Sequence, residues 1–424
     1  MPGMDVLADL LARGLVQDST DADALAARLA AGPTTLYWGC DPTADSLHIG
    51  NLIGILVLRR FAEAGHAPIA LAGGATGMIG DPSGKSDERN LLDPETLARN
   101  LAGIAEQLER LGGVPLVDNS EWTAEVRLLD FLRDIAKHVT INQMVAKESV
   151  RSRMESADGI SYTEFTYMLL QAHDYLALHR SRSCELQIGG SDQWGNITMG
   201  VDLIRKITGH HVHALTWPLL TRADGKKFGK SAGGSVWLSA ERTSPYQLHQ
   251  YFVQVPDADV RRMLLWFTLL PVETCHAVAD AHDADPPART GQRRLAREVT
   301  ALVHGEAAAV SAEAAAAALF GADLDGLPDA VFRSLEGEVA TTELDAARLA
   351  AGIDPVELFV ETGVVDSRSA ARRSLDEGAL YVNNRRLAPD APPIGAGDLR
   401  AGRYVLLRRG KRTYHLVCTP PPPA

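Results

Sequence analysis

Cysteine is scarce in this chain of 424 residues: Cys40, Cys184, Cys275 and Cys418 lie far apart with no CxxC pair. That excludes a disulfide framework and a thiolate zinc site, and the four read as free thiols in a reducing cytosol. No apolar run approaches the ~18 residues that a membrane helix needs. The opening MPGMDVLADL has neither the basic start nor the long apolar stretch of a secretory leader, so a cytoplasmic protein with no membrane partner is expected. Positive charge is also in short supply, 42 Lys plus Arg against 54 Asp plus Glu, a net -12. Averaged over the chain, that argues against a nucleic-acid partner, because phosphate binding rests on basic side chains.

The distribution of charge changes this picture. Residues 355–424 hold eleven basic and seven acidic residues, a net +4, which leaves -16 for the remainder. An asymmetry of this kind points to polyanion binding by one part of a chain, or to a solvated basic face. Lysine is rarer than arginine, eight against 34, yet three of the eight fall in TRADGKKFGKS. Random filling of basic positions places three lysines together with a probability on the order of 1%, whereas compact, mobile ammonium groups suit a phosphate-binding loop.

Short apolar runs at 35–39, 68–72, 115–118 and 185–188 read as strands, each followed by a helical pattern. Strands separated by helices of this length indicate a Rossmann-like α/β fold with a parallel sheet covered on both faces, whose ligands bind beyond the carboxyl ends of the strands. The chain divides into this domain at 1–235, a helical domain at 236–335, a linker at 336–354 and a small α+β domain at 355–424. In the last, Ser367 opens a helix that Gly378 closes, and strands follow at 380–383, 403–408 and 413–417.

The stretch LYWGCDPTADSLHIGN runs from a strand into a helix. With Asp45 or Ser46 as N-cap, His48 falls in the first turn and Asn51 one turn later, both aiming donors at an anion on the helix N-terminus. KFGKS supplies Lys227, Lys230 and Ser231 in a glycine-rich loop of the kind that closes on a triphosphate. GDPSGKS resembles the end of a Walker loop but has Ile79 where that motif requires glycine; Asp81, Lys85 and Arg89 remain there as candidates for an ammonium and a phosphate. In YTEFTYMLLQAHDY, Tyr167, Gln171 and Asp174 share one helix face, either a solvent stripe or a site. QIGGSDQWGN places Gln187, Asp192 and Gln193 at a further strand-to-helix turn.

HIGN and KFGKS resemble the HIGH and KMSKS motifs of class I aminoacyl-tRNA synthetases. With GGATGMIGDPSGK and LQIGGSDQWGN in this order, and a tail SRSAARRSLDEGALYVNNRRL similar to a ribosomal-protein-like RNA-binding domain, nearly the whole chain resembles the bacterial tyrosyl-tRNA synthetases. The resemblance implies binding of the L-tyrosine phenol by Tyr37 and Asp174, and of its ammonium by Asp81, Tyr167 and Gln171, with Gln187 beside them. It implies ATP contacts from Gly39, Asp41, Gly50 and Asp192, with His48 and Asn51 near the phosphates. Lys85, Arg89, Lys227, Lys230 and Ser231 then hold the leaving pyrophosphate. Arg368, Arg372, Arg373, Asn383 and Arg385 are the RNA-facing residues it implies, and tRNA(Tyr) the RNA. Magnesium enters with ATP as co-substrate, with no protein metal site and no tightly bound cofactor, and a homodimer joins through residues 138–156. Asn51 for the last His of HIGH, and Phe228-Gly229 for Met-Ser of KMSKS, depart from the family pattern while keeping a donor and both lysines. The rival readings are the related tryptophan enzyme, a cytidylyltransferase with a HIGH-type site, and a non-catalytic RNA-binding relative.

Overall fold

The computed structural model describes residues 4–81, 93–155, 159–221, 230–231 and 234–420. Two units emerge, Met1–Arg242 with Val255–Gly291, and Thr243–Gln254 with Gln292–Ala424.

In the first unit, β1 (Asp18–Ser19), β2 (Thr35–Cys40), β3 (Ala67–Ala72), β4 (Leu116–Asp118), β5 (Cys184–Gly190) and β6 (His213–Trp217) form one sheet in the order β1-β6-β5-β2-β3-β4. All neighbours are parallel except β1 and β6. The four strands expected from apolar runs are β2 to β5; β6 escaped because its HALTW alternates weakly, although four of its five residues are buried. From β2 the chain steps outward through β3 and β4, then returns to lay β5 and β6 on the other side. This reversal opens a crevice beyond the carboxyl ends of β2 and β5.

Helix Ile49–Glu63 is apolar almost all round, with Leu52, Ile53, Ile55, Leu56, Val57, Leu58 and Phe61 buried. It meets β2 and β3 on one side and helices Pro94–Gly112 and Asp257–Phe267 on others, so only its last turn, with the ion pair of Arg59 and Glu63, reaches water. The helix begins at Ile49, not after Asp45 or Ser46 as the sequence suggested. Residues 47–49 are committed to an extended pairing, Leu238 N–H to Leu47 O at 2.8 Å and Ile49 N–H to Val236 O at 3.0 Å, which prevents an earlier helical turn.

The helices Asp257–Phe267 and Val272–Ala284, expected in a separate helical domain, belong to the first unit. Buried arginines fasten them there. Arg13 donates to the Leu265 and Leu270 carbonyls, and Arg60 donates to Thr268 O at 2.6 Å while lying 3.4 Å from the Asp9 carboxylate. No described helix is long and apolar enough to cross a membrane.

The second unit holds β7 to β13 apart from the hairpin β7 (Lys230–Ser231) and β8 (Gly234–Ser235), which lies in the first. Its sheet runs β11 (Arg385–Arg386), β10 (Leu380–Val382), β12 (Tyr404–Arg409), β13 (Thr413–Cys418), β9 (Ala340–Glu343). Alternate residues face opposite sides. Val405, Leu407 and Val417 join Leu358, Phe359 and Leu375 in one core, while Tyr404, Leu406 and Leu416 join Ala315, Phe332 and Leu335 in the other. The linker expected at 336–354 is therefore corrected: β9 pairs in parallel with β13, and Leu344, Leu349 and Ile353 are core residues. Helix Arg368–Asp376 starts as the sequence indicated, with Ser367 Oγ accepting from Ala370 N–H. Gly378 follows at φ +64°, the left-handed conformation that glycine tolerates best after a helix.

Two expected RNA-facing residues are placed otherwise. Asn383 is 2% exposed, its amide donating to Asp398 O and accepting from Leu406 N–H, so it is buried within the unit and not presented on the surface. Arg385 is exposed but held by Asp325. Arg368, Arg372 and Arg373 are exposed on their helix, whose Ala371 and Leu375 are buried, and make no ion pair with a described residue.

Candidate active site

A cavity of about 630 Å³ opens at the crevice beyond β2 and β5. Its walls include Tyr37, Gly39, Asp41, His48, Gly50, Asn51, Asp81, Tyr167, Gln171, Asp174, Gln187 and Asp192. Every described residue expected to contact tyrosine thus lies in one cavity with those expected at ATP. Lys85, Arg89 and Lys227 lie outside the described residues. Lys230 and Ser231 are described as the strand β7, without their side chains.

Tyr37 is 1% exposed, and its hydroxyl has no hydrogen-bond partner among the described residues. Such an orphaned buried hydroxyl costs ~1–3 kcal/mol unless something arriving in the cavity pairs with it. Burial, and then the nearby Asp174, push its pKa well above the ordinary tyrosine value, so it stays a neutral donor. Gln187 Oε1 is likewise buried and unpartnered. Asp174, 3% exposed, is pushed up to about 7 by burial; hydrogen bonds from Asn119 and Trp122 pull the other way, and the charges of Asp41 and Asp118 add to the rise. Asn119 Nδ2 donates to Asp174 Oδ2 at 3.0 Å, and Trp122 Nε1 donates to Oδ1 at 2.8 Å. One end of the cavity thus offers a fixed carboxyl group beside a neutral hydroxyl donor.

A chain of hydrogen bonds leads from there to the other end. Asn119 also donates to Thr76 Oγ1 at 2.9 Å, Thr76 donates to Asp41 at 3.3 Å, and the Tyr167 hydroxyl donates to both Asp41 oxygens at 3.2 Å. Beside it, Asp81 accepts from Gln193 Nε2 at 2.6 Å, and Asn196 Nδ2 bridges to Gln171 Oε1 at 3.0 Å. Tyr167, Gln171 and Asp174 form no solvent stripe; they face the cavity because the helix Tyr162–Arg182 has β5 and helix Trp194–Thr208 on its flanks. Asp192 stands open to the cavity, and its pKa is raised by partial withdrawal from water and then by Asp81. Any side chain at Gly190 would begin 2.6 Å from its carboxylate.

At the helix Ile49–Glu63, His48 is the N-cap. Its Nδ1 accepts from Gly50 N–H at 3.1 Å, and Asn51 Oδ1 accepts from His48 N–H at 3.1 Å. This reciprocal cap fixes the neutral imidazole with its proton on Nε2 and leaves the Asn51 NH₂ as a donor. A Cβ at Gly50 would sit 2.9 Å from the His48 ring. The segment after β8 bridges back to His48 through Trp237, so the chain leaving the KFGKS loop is stitched to HIGN. Arg242, stacked on Trp237 with its guanidinium 4.7 Å from the ring centre, pairs with Asp45 at 2.6 Å.

Sequence reasoning missed Asn119, Trp122, Thr76 and Asn196. Asn119 was detectable in principle, as a polar residue directly beyond the carboxyl end of β4; the others carry no signal until the fold brings them together. Among the described residues no cluster of His, Cys, Asp or Glu is arranged to hold a metal ion.

The family model for class I tRNA synthetases (W and Y) matches residues 29–321, and that for the tyrosine–tRNA ligase SYY-like C-terminal domain matches 335–417. The tyrosine–tRNA ligase of Opitutus terrae is 52% identical over 98% of this chain and 99% of its own, and that of Nocardia farcinica 51% identical over 96% and 97%. Among solved structures, a C-terminally truncated mitochondrial tyrosyl-tRNA synthetase from Aspergillus nidulans superposes with a TM-score of 0.69 at 31% identity, covering 74% of this chain and 94% of that one.

Proposed function

The chain belongs to the class I tRNA synthetases of the tyrosine and tryptophan group, and on that premise we propose that it is a tyrosine–tRNA ligase. It activates L-tyrosine with ATP to tyrosyl-adenylate and pyrophosphate, then transfers the tyrosyl group to the 3′ end of tRNA(Tyr). The observation that carries the choice of amino acid is the buried pair of Tyr37, with an unpartnered hydroxyl, and Asp174, with a fixed carboxylate. A phenol satisfies both at once, donating to Asp174 and accepting from Tyr37. Phenylalanine leaves both unpaired, and an indole N–H leaves Tyr37 unpaired. The rejection of phenylalanine on this basis, about 10⁵-fold, is a stock example of specificity for this very family of enzymes.

Asp81, Tyr167 and Gln171 receive the substrate ammonium, and Gln187 completes the amino-acid pocket. The tyrosine carboxylate attacks the α-phosphorus of ATP and the bond to pyrophosphate breaks. The nucleophile is already ionised, so the step needs no general base. Gly39, Asp41, Gly50 and Asp192 line the nucleotide end. The His48 Nε2–H and the Asn51 amide donate to phosphate oxygens, and Lys85, Arg89, Lys227, Lys230 and Ser231 take the charge growing on pyrophosphate. Donors aimed in this way are worth roughly 2.7–4 kcal/mol each. Magnesium arrives with ATP as part of the substrate. In the second step a terminal ribose hydroxyl attacks the acyl carbon and AMP leaves.

Arg368, Arg372 and Arg373, which pair with no described carboxylate, meet RNA phosphates. The protein acts in the cytoplasm as a homodimer: Leu128, Leu129, Leu132, Ile141 and Met154 stand exposed in and beside residues 138–155, an apolar surface suited to a second copy. Charging of a tRNA(Tyr) transcript with radiolabelled tyrosine tests the reading; no acid-precipitable tyrosyl-tRNA at saturating ATP overturns it.

A further inference from the structure

Helix Pro94–Gly112 turns an apolar face to the first unit, yet one stripe of its buried side is polar. Asn100, Gly103 and Gln107 fall at i, i+3 and i+7, and both amide side chains are buried. All three meet the chain between β2 and the helix Ile49–Glu63. Asn100 Nδ2 donates to Pro42 O at 2.9 Å, Gln107 Oε1 accepts from Leu47 N–H at 2.8 Å, and a Cβ at Gly103 would lie 2.1 Å from the Asp45 carbonyl oxygen. The cavity is lined by Ile104, Ser46 and Leu47 and not by Asn100 or Gln107, so neither amide is spent on a substrate.

Ser46 is the hub of this contact. Its hydroxyl accepts from Gln107 Nε2 at 3.0 Å and from Ser239 N–H at 3.1 Å, and donates to Leu47 O at 2.9 Å, which uses every hydrogen bond that a hydroxyl can make. Leu47 is held on both sides, its N–H by Gln107 and its carbonyl by Leu238 N–H as well as by Ser46. The residue directly before His48 is thereby fixed, and His48 N–H is taken by Asn51. One buried side chain, Gln107, thus ties the cap of the HIGN helix to residues 236–239, the chain that leaves the KFGKS loop.

We propose that Gln107, acting through Ser46 and Leu47, is a positioning residue for adenylate formation, holding the His48 imidazole in register with the chain that leaves the KFGKS loop. Donors on two chain segments stabilise charge growing on one phosphate group only when both are aimed at it, and a displacement of about 1 Å from a change far from the chemistry can cost on the order of 10²-fold. Packing alone does not call for this arrangement. Apolar side chains at 46 and 107 would fill the same space, but would leave Leu47 N–H and Ser239 N–H unpaired. The inference rests on the reading of the site as one that activates tyrosine with ATP.

The test uses the full-length protein, single-turnover formation of tyrosyl-adenylate, and equilibrium dialysis with tyrosine. Gln107→Met, of similar volume but without the amide, is expected to lower the rate at saturating ATP roughly 10- to 100-fold while tyrosine affinity stays within about twofold of wild type. Gln107→Glu, whose carboxyl group still accepts from Leu47 N–H and meets Ser46 Oγ, recovers most of the rate. Ser46→Ala, which leaves the bond from Leu47 N–H to Gln107 in place, reproduces the loss and carries the test if Gln107→Met does not fold. In a His48→Ala background the same changes cost less than about twofold, because the imidazole that they position is gone. A wild-type rate in Gln107→Met or Ser46→Ala, a fall in rate matched by a fall in tyrosine-binding sites, or an undiminished loss on top of His48→Ala overturns the positioning role while the wild-type chain still forms tyrosyl-adenylate. A wild-type chain that forms none overturns the underlying reading as well.

Discussion

Acidification should weaken tyrosine binding through Asp174. The phenol of the substrate has to donate to this carboxyl group, whose two oxygens already accept from Trp122 and Asn119, so the ionised form is the one that binds. An exposed aspartate is ionised throughout the neutral range, but burial lifts Asp174 to about 7. From pH 8 to pH 6 the ionised fraction then falls from about nine tenths to about one tenth, and apparent affinity, which scales with the competent fraction, falls about tenfold. Asn119 lowers this pKa, so Asn119→Ala should move the profile to higher pH as well as weaken binding. Equilibrium dialysis with radiolabelled tyrosine and no ATP isolates the effect from Asp192, which faces the nucleotide end. Asp174→Asn should bind weakly and without pH dependence over the same range. A tyrosine affinity that is flat between pH 6 and 8, or that strengthens on acidification, refutes the assignment of Asp174 to the phenol.

Tyr37→Phe removes only the hydroxyl and should raise the tyrosine KM by about 1–3 kcal/mol equivalent, roughly 5- to 150-fold, with little change for phenylalanine; equal effects on both amino acids in pyrophosphate exchange contradict the role given to that hydroxyl. Lys230→Ala should lower single-turnover adenylate formation about 10²-fold or more while tyrosine binding stays near wild type, and unaltered exchange would remove the KFGKS loop from the mechanism. Replacing Arg372 and Arg373 together by Ala should raise the KM for tRNA and lower the salt slope by about two, leaving exchange intact; a matching loss in exchange would mean that the helix serves folding rather than RNA.

Much of the site was readable before the fold because its residues sit where chain direction alone predicts a ligand. Gly39 lies just before the carboxyl end of β2, with Tyr37 two residues earlier on the same strand, Gln187 lies on the neighbouring β5 with Asp192 just beyond its carboxyl end, and His48 caps the helix that follows β2. Where the sequence misled, tertiary pairing had overruled local preference. The helix at HIGN begins late because residues 47–49 pair with 236–238, which lie almost two hundred residues away. Residues 336–354 look like a linker until β9 finds β13, a parallel pairing that leaves no local trace. Asn383, polar and set in a turn beside arginines, reads as an RNA contact, yet two backbone groups of the second unit claim its amide. Asn119 and Trp122 could not be connected with Asp174 from sequence, because 52 to 55 residues separate the partners of each hydrogen bond. The helices at 257–284 carry no mark of belonging to the first unit; Arg13 and Arg60 place them there through backbone carbonyls that any sequence would offer.

Amino-acid-dependent exchange of pyrophosphate into ATP, run side by side with tyrosine, phenylalanine and tryptophan, tests the central claim most directly. Exchange with tyrosine that exceeds both others by several orders of magnitude is the expected result, since only a phenol satisfies Tyr37 and Asp174 together. Comparable exchange with phenylalanine or tryptophan, or none with tyrosine, would contradict the account.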